Sequence, residues 1–545
     1  MEAKKLLTLA LTGLLAGGCL MVPALAEDAD GQSSGNPATY TIPARVKRIE
    51  DYAFAGDTSL ERVKIPDGVT EIGDYAFSGC TNLQEIVLPD GLTKIGNHAF
   101  DGCTALVRLG DMNQLESIGE YAFSGCEALE SIGDMPKLQT IGNYAFAEQT
   151  VTDEDSGTST TVSCKSLKTV GNLDSVTRIG SEAFSGCREL ESIGALPNVT
   201  RIAFGAFQNC EKLKKVEGLG KLTAINRNTF TGCTSLKSIG NLPKVTSIGY
   251  FAFSGCSSLA SVGDLSSVTS IGMSAFGGCS SLASIGDLSS VTSIGDSAFA
   301  GCASLESVGN LKNVKSIGNS AFGSYTYYDE NNNKYTDAYC SALKQIGDMP
   351  KLETIGKSAF GGCSALASVG DLSSVTSIGN SAFSGCSSLA SIGNLPNVTS
   401  IGERAFGSIY VYDSEAGKGE YIYCTSLKEI GCMPKLQTIS SSAFEGCSAL
   451  ASIGDLSSVT SIGNSAFSGC SSLASIGDLP NVTSIGEWAF YGCSALTSVG
   501  DLRSVTEIGN YAFDACSNLT LRVLPNSYAE NYAKSNNIKY TYIED

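Results

Sequence analysis

Eighteen cysteines recur at a fixed distance from a phenylalanine, from Cys80 to Cys516, three residues after it or eighteen where the spacing is stretched. Thiols in such numbers ordinarily suggest a disulfide framework or a metal site. Their order argues against both. Equivalent residues of stacked coils have parallel Cβ vectors about 4.8 Å apart, beyond the usual disulfide range. Metal ligands must converge on one point, and the chain has a single histidine, His98. The column therefore reads as a buried ladder of small apolar thiols. Cys432 lies outside it and has no evident role.

Other reactive residue types give weaker signals. His98 occupies a variable position before Ala-Phe and is expected at the surface. No serine sits in a G-x-S-x-G elbow, and the glycines follow the repeat rather than a phosphate loop. No catalytic residue, cofactor or resident metal is assigned, and no enzymatic activity is expected. Asp264, Asp287, Asp348, Asp371, Asp455, Asp478 and Asp501 form a column; an unpaired carboxylate does not point into a core, so a solvated Gly-Asp turn is expected, with Leu265 swinging inward. Cation binding there stays an alternative. Asp153-Glu-Asp155 and Asp329-Glu-Asn331 lack calcium-loop spacing.

The best candidate ligand contacts are tyrosines. Three insertions of fifteen residues, within 147–163, 323–339 and 407–423, fall between a repeat Phe and its Cys. The third alternates around a polar, glycine-bearing turn, which signals a β-hairpin, and the second is similar. They carry Tyr325, Tyr327, Tyr328, Tyr335 and Tyr339, and Tyr410, Tyr412, Tyr421 and Tyr423. The first is Thr- and acid-rich without aromatics. All three should project from one edge. Tyrosine suits contact with proteins or sugar rings; the competing reading is that the rings pack on one another and on the scaffold.

The element that must position these residues is a repeat. Ile-Gly-x-x-Ala-Phe places nineteen Phe from Phe54 to Phe513, 23 residues apart except for three steps of 38. A unit this short cannot bury its own apolar face, so units stack around a shared core. Leu259–Val262 and Val268–Ile271 read as two short strands per coil, each stacking on its copy in the next. Gly272 is expected to permit a tight corner, and Ala275-Phe276 to fill the interior from a short helical turn. The expected fold is an all-β-rich solenoid of leucine-rich-repeat type, about nineteen coils over residues 40–525. Residues 526–545 should cap it: Ser527-Tyr-Ala-Glu530 fits a capping box, followed by a helix to about Ser535 and a closing strand over 538–543.

Residues 1–26 read as a signal peptide: Lys4-Lys5, an apolar run from Leu6 to Val22, and Ala24-Leu25-Ala26 with cleavage after Ala26. A lipoprotein reading with acylated Cys19 is the alternative, although Ala16 stands where Leu is usual. Residues 27–39 form a polar linker. No later apolar stretch is long enough to span a membrane, so a secreted or cell-surface location is expected. The net charge of −19 repels phosphate backbones and argues against a nucleic-acid partner. Asn-x-Thr sequons at Asn198, Asn397, Asn481 and Asn518 matter only in a eukaryotic secretory route.

The pattern I-G-x-x-A-F-x-G-C-x-x-L-x-x-I, with I-x-L-P-D-G-L-T over Ile86–Thr93, resembles the BspA-like (treponemal-type) leucine-rich repeat from about Tyr40 to Leu524. The resemblance implies a β-solenoid, export or surface display, and adhesion to host or microbial surface proteins or glycans. It supplies no shared ligand motif. A structural spacer without a specific ligand is the other reading that suits a rod with near-identical units, such as Ser257–Cys279 and Ser280–Cys302. A hydrolase using paired carboxylates is a third, to which no motif points.

Overall fold

The computed structural model describes residues 39–152, 159–329, 334–413 and 418–543. The signal peptide, the Ala26 cleavage site, Cys19 and residues 27–38 of the linker lie outside them. The stack begins one residue earlier than expected, with a strand at Thr39–Thr41.

The chain winds as a β-solenoid of about 21 turns. Each coil contributes to two parallel ladders, although in the first ladder the coils at Ser284 and Ser368 contribute only isolated bridges. In the first, Thr39–Thr41 pairs with Arg62–Lys64 and that with Glu85–Val87, Val63 lying opposite Ile86. This ladder is divided into several sheets, the last of which runs from Ser475–Ile476 through Thr520–Val523 to the closing strand Lys539–Tyr542. The second comprises a seven-stranded sheet ending at Arg201–Ile202 and a twelve-stranded sheet beginning at Ala224–Ile225. Nineteen coils thus carry both ladders, while the two ends of the first ladder add the remaining turns. The break in the second ladder falls between the coils with Ala203 and Asn226 in place of the glycine after Ile, a replacement that Glu50 and Ser440 make elsewhere without a break.

Strand length follows side-chain chemistry. Early coils keep three residues in the first ladder because Ile65 is inward-facing and buried. In the middle coils the strand stops at Ser261–Val262, Asp264 turns to solvent and Leu265 is fully buried. The Asp264 carboxylate accepts the Ser266 amide at 2.9 Å, and the Asp111 carboxylate accepts the Asp134 amide of the next coil at 2.8 Å. The aspartate column is a turn ladder except at Asp501, which is buried at the end of the strand Ser498–Asp501 and pairs with Arg503. Among the described residues no group of acidic, His or Cys side chains is placed to hold a metal ion.

Two expectations about the corner need correction. Ala-Phe does not sit on a helical turn. Amides there alternate between coils: Tyr75, Phe77 and Gly79 donate to Asn97, Ala99 and Asp101 of the next coil at 2.7–2.8 Å, while Ser78 and Cys80 close local turns on Tyr75 and Phe77. A helix would keep every amide bond within its own segment. The alternation requires left-handed backbone at Tyr75 (φ +56°) and Gly79 (φ +72°). Nor does the glycine after Ile have positive φ. Its hydrogen is needed because the next backbone passes close: a Cβ on Gly96 would lie 2.6 Å from the Gly73 carbonyl carbon.

The interior is one continuous column of side chains. Successive repeat phenylalanines stack with ring centroids 5.0–5.5 Å apart, and the 38-residue step from Phe322 to Phe360 keeps 5.3 Å. Each fully buried ring contributes about 1.5–3 kcal/mol. Every column cysteine donates its thiol to the carbonyl of the Phe one coil back, as Cys279 does to Phe253 at 3.2 Å. The helix Tyr528–Ser535 covers the far end. The Ser527 hydroxyl accepts the Glu530 amide at 3.1 Å, and Glu530 in turn bonds the Asn526 amide, the Tyr542 hydroxyl and Lys534.

Candidate functional site

All three insertions form antiparallel hairpins: Gln149–Thr152 with Ser159–Val162, Tyr325–Asp329 with Lys334–Ala338, and Ile409–Asp413 with Lys418–Ile422. They leave the coil at one point and lie against the same column, the left-handed glycines two residues after each Phe. A methyl on Gly125 would meet Val162 at 3.3 Å, and one on Gly278 would meet the Tyr325 ring at 2.7 Å. Glycine gives these hairpins a smooth bed.

Placement on that bed separates the nine candidate tyrosines. Tyr325 lies across Gly277, Gly278 and Gly301, and its hydroxyl reaches the Ser254 hydroxyl at 3.3 Å, three coils back. Tyr339 packs over Gly362 and Tyr423 over Gly446, and burial raises both phenol pKa values. These three rings attach hairpins to the scaffold. Tyr410, Tyr412 and Tyr421 stand out, at 52%, 60% and 61% exposure. Alternation along the third hairpin puts them on one face: Tyr410 is opposite Tyr421, with ring centroids 5.2 Å apart at 60°, and Tyr412 lies two residues along the same strand. Ile409, on the other face, packs over Gly385. The side chains of Tyr327, Tyr328 and Tyr335 lie outside the described residues.

The structure also shows an aromatic column not anticipated from the sequence. Tyr52, Tyr75, His98, Tyr121 and Tyr144, each two residues before a repeat Phe, stack with centroids 4.4–4.8 Å apart. Their 23-residue spacing was the available signal. His98 is accordingly half-buried between two phenol rings, with Nδ1 2.9 Å from the Asp101 carboxylate. Burial raises the Asp101 pKa, partly offset by His98.

The cysteine column is chemically quiet. Burial pushes Cys164, Cys233, Cys340 and Cys424 up to about 12, so these thiols stay protonated and donate. No disulfide joins the described cysteines, Cys432 is exposed and Cys516 half-buried.

The BspA type leucine-rich repeat region matches residues 33–152, 157–264, 247–336, 333–416 and 414–520. The chain belongs to the BspA-type leucine-rich-repeat family. Members of this class are typically non-enzymatic repeat scaffolds suited to protein binding. Among solved structures, this BspA-type chain is similar to a leucine-rich repeat protein from Bacteroides ovatus ATCC 8483, at 24% identity over 94% of each chain with a TM-score of 0.40. It is similar to the T. pallidum leucine-rich repeat protein at 32% identity over 32% of this chain and 77% of that one, TM-score 0.28. A third is a leucine-rich cell surface protein from Faecalibacterium prausnitzii A2-165, 22% identical over 92% of this chain and 91% of that one, TM-score 0.27. No curated protein matches the chain. Among the described residues no helix of this BspA-type solenoid is long and apolar enough to cross a membrane.

Proposed function

We propose that this chain is an exported, adhesin-like binding scaffold that contacts host or microbial surface proteins or glycans through the third hairpin. One observation carries the reading: Tyr410, Tyr412 and Tyr421 share an exposed face of a hairpin that Tyr423 and Ile409 hold on the solenoid. Large, stiff amphipathic rings on a fixed mount bind at low entropic cost. Export rests on the basic start, apolar run and Ala24-Leu25-Ala26 of the first 26 residues. Acylation at Cys19 remains the competing route to the surface.

The test is binding of the full mature chain to arrayed extracellular-matrix proteins and glycans, beside the variant Y410S/Y412S/Y421S. An anchoring tyrosine contributes about 2 kcal/mol at a hot spot, so the triple variant should bind at least roughly thirtyfold more weakly. Unchanged affinity rules out the hairpin as the contact. Absence of binding to every arrayed surface favours the spacer reading, for which the near-identity of Ser257–Cys279 and Ser280–Cys302 is the supporting observation.

A further inference from the structure

A shallow trough follows the second ladder, because the glycine after each Ile leaves a gap between the outward strand residues and the corner. Its C-terminal stretch runs over six coils, from Asn380 to Asn510, with a volume of about 790 Å³. Gly463, Gly486 and Gly509 line it, and Glu403, Glu487 and Glu507 face it. The wall is held in place by its neighbours: the side-chain oxygens of Asn380 and Asn464 accept the amides of Glu403 and Glu487 at 3.0 and 2.9 Å. Among the described residues none of these three carboxylates has an ion-pair partner, unlike Glu85, Glu189, Glu191, Glu211 and Glu306, which bridge to Lys or Arg of an adjacent coil. The sign is local. Nearer the N-terminus the same trough is lined by Arg178 and Arg201 with Glu120.

Beside the acidic stretch stand two exposed aromatic residues. Trp488 directly follows Glu487 and Tyr511 directly follows Asn510, at 45% and 58% exposure. Both occupy left-handed positions, φ +54° and +56°, where neighbouring coils have Ser442 and Ser465. A bulky ring is unfavourable there. In the N-terminal column that cost is offset by stacking within 4.8 Å, but Trp488 and Tyr511 are 6.3 Å apart, and the coil before Trp488 offers only Ser465. One indole face therefore has no ring over it.

We infer that this stretch of the trough is a docking groove for an extended Lys- or Arg-rich polypeptide segment, its cations paired with Glu403, Glu487 and Glu507 and stacked on Trp488. Unneutralised carboxylates in a row select positive charge, and Trp is the most favourable ring for cation–π contact. A trough parallel to the solenoid axis admits an extended chain and is too shallow to enclose a compact ligand. This site is separate from the third hairpin and does not depend on it.

Trp488 is the only tryptophan in the chain and directly follows the lining residue Glu487, so its fluorescence reports on the edge of this groove. The full mature chain is titrated with a synthetic peptide of alternating Arg and Ser, at low and high salt, beside a neutral oligosaccharide. The expected result is a saturable change with the basic peptide, weakened roughly fivefold or more by raising salt from about 0.05 to 0.3 M. E403Q/E487Q/E507Q should weaken it by roughly tenfold. Y410S/Y412S/Y421S should leave it unchanged, which keeps failure here distinct from failure of the hairpin reading. D67N/D90N/E116Q removes equal charge from coils far from the groove and should also bind normally. The inference is overturned by a missing saturable signal, by equal weakening in the two charge variants, or by a neutral oligosaccharide saturating the same signal independently of salt.

Discussion

At the scale of single residues, the cysteine column shows how position decides chemistry. Between the two ends of the column each thiol is enclosed, its pKa raised by burial, and committed to a phenylalanine carbonyl one coil back, so it contributes a weak hydrogen bond as well as packing. Native-state alkylation followed by mass spectrometry should modify Cys432 rapidly and Cys516 slowly, with Cys80 to Cys493 reacting only after unfolding. Rapid labelling of Cys279 in the native chain would contradict the ladder. Replacing Cys279 by Ala removes a donor and a small volume, and should cost about 1 kcal/mol by denaturant titration. The spacing of these cysteines was sufficient to reject disulfides and to bury them. The thiol-to-carbonyl bond was not legible, because it depends on how the corner backbone turns its carbonyls. The same holds for the left-handed site before Ala-Phe: Tyr, Ser, Trp, Arg and Glu all occupy it, and none of these types signals positive φ.

At the scale of elements, the cap and the corner differ in how plainly they are written. Ser527 and Glu530 are a local signal, and the helix Tyr528–Ser535 begins where they place it. The corner is not local. Its amides bond residues 22 positions away, so a helix-like pair of small and aromatic residues becomes a turn ladder only when a neighbouring coil is present. The hairpins fall between. Alternation and turn composition marked the second and third, whereas their glycine bed, and hence which tyrosines are anchored, follows from the stack. For the cap, Lys534, Tyr542 and the Asn526 amide hold the Glu530 carboxyl down to about 2, against 4.5 for a free side chain. A folded pKa below the unfolded one means the stabilisation is present above about pH 4.5 and is lost as pH falls toward 2. Protection factors of the helix amides, rates normalised to the intrinsic exchange at each pH, should therefore fall across that window, and E530Q should be less protected at neutral pH with a flatter acid response. Identical acid profiles in both chains would show that another group controls the cap.

At the scale of the whole molecule, repetition made the architecture the most legible property of the chain. Nineteen repeats with Ile five residues before Phe, fifteen of them reading Ile-Gly-x-x-Ala-Phe in full, specified the coils, and the turns beyond that number come from strands at the ends. The two ladders and the phenylalanine column are unaffected by the 38-residue steps, since the insertions leave and rejoin the coil at one point. That feature has a mechanical meaning. Each strand is two residues wide along most of the rod and bonds only to the coils before and after it, so among the described residues a force applied at the termini meets few contacts that span more than one coil, chiefly the hairpin rings and the Arg522–Asp478 ion pair. Tension should peel coils from an end one at a time, each freeing 23 residues, or about 80 Å of chain. The three coils that carry hairpins should free 38 residues each, about 130 Å. In single-molecule stretching the chain would then yield like a ratchet, with three long strokes marking the positions of its hairpins.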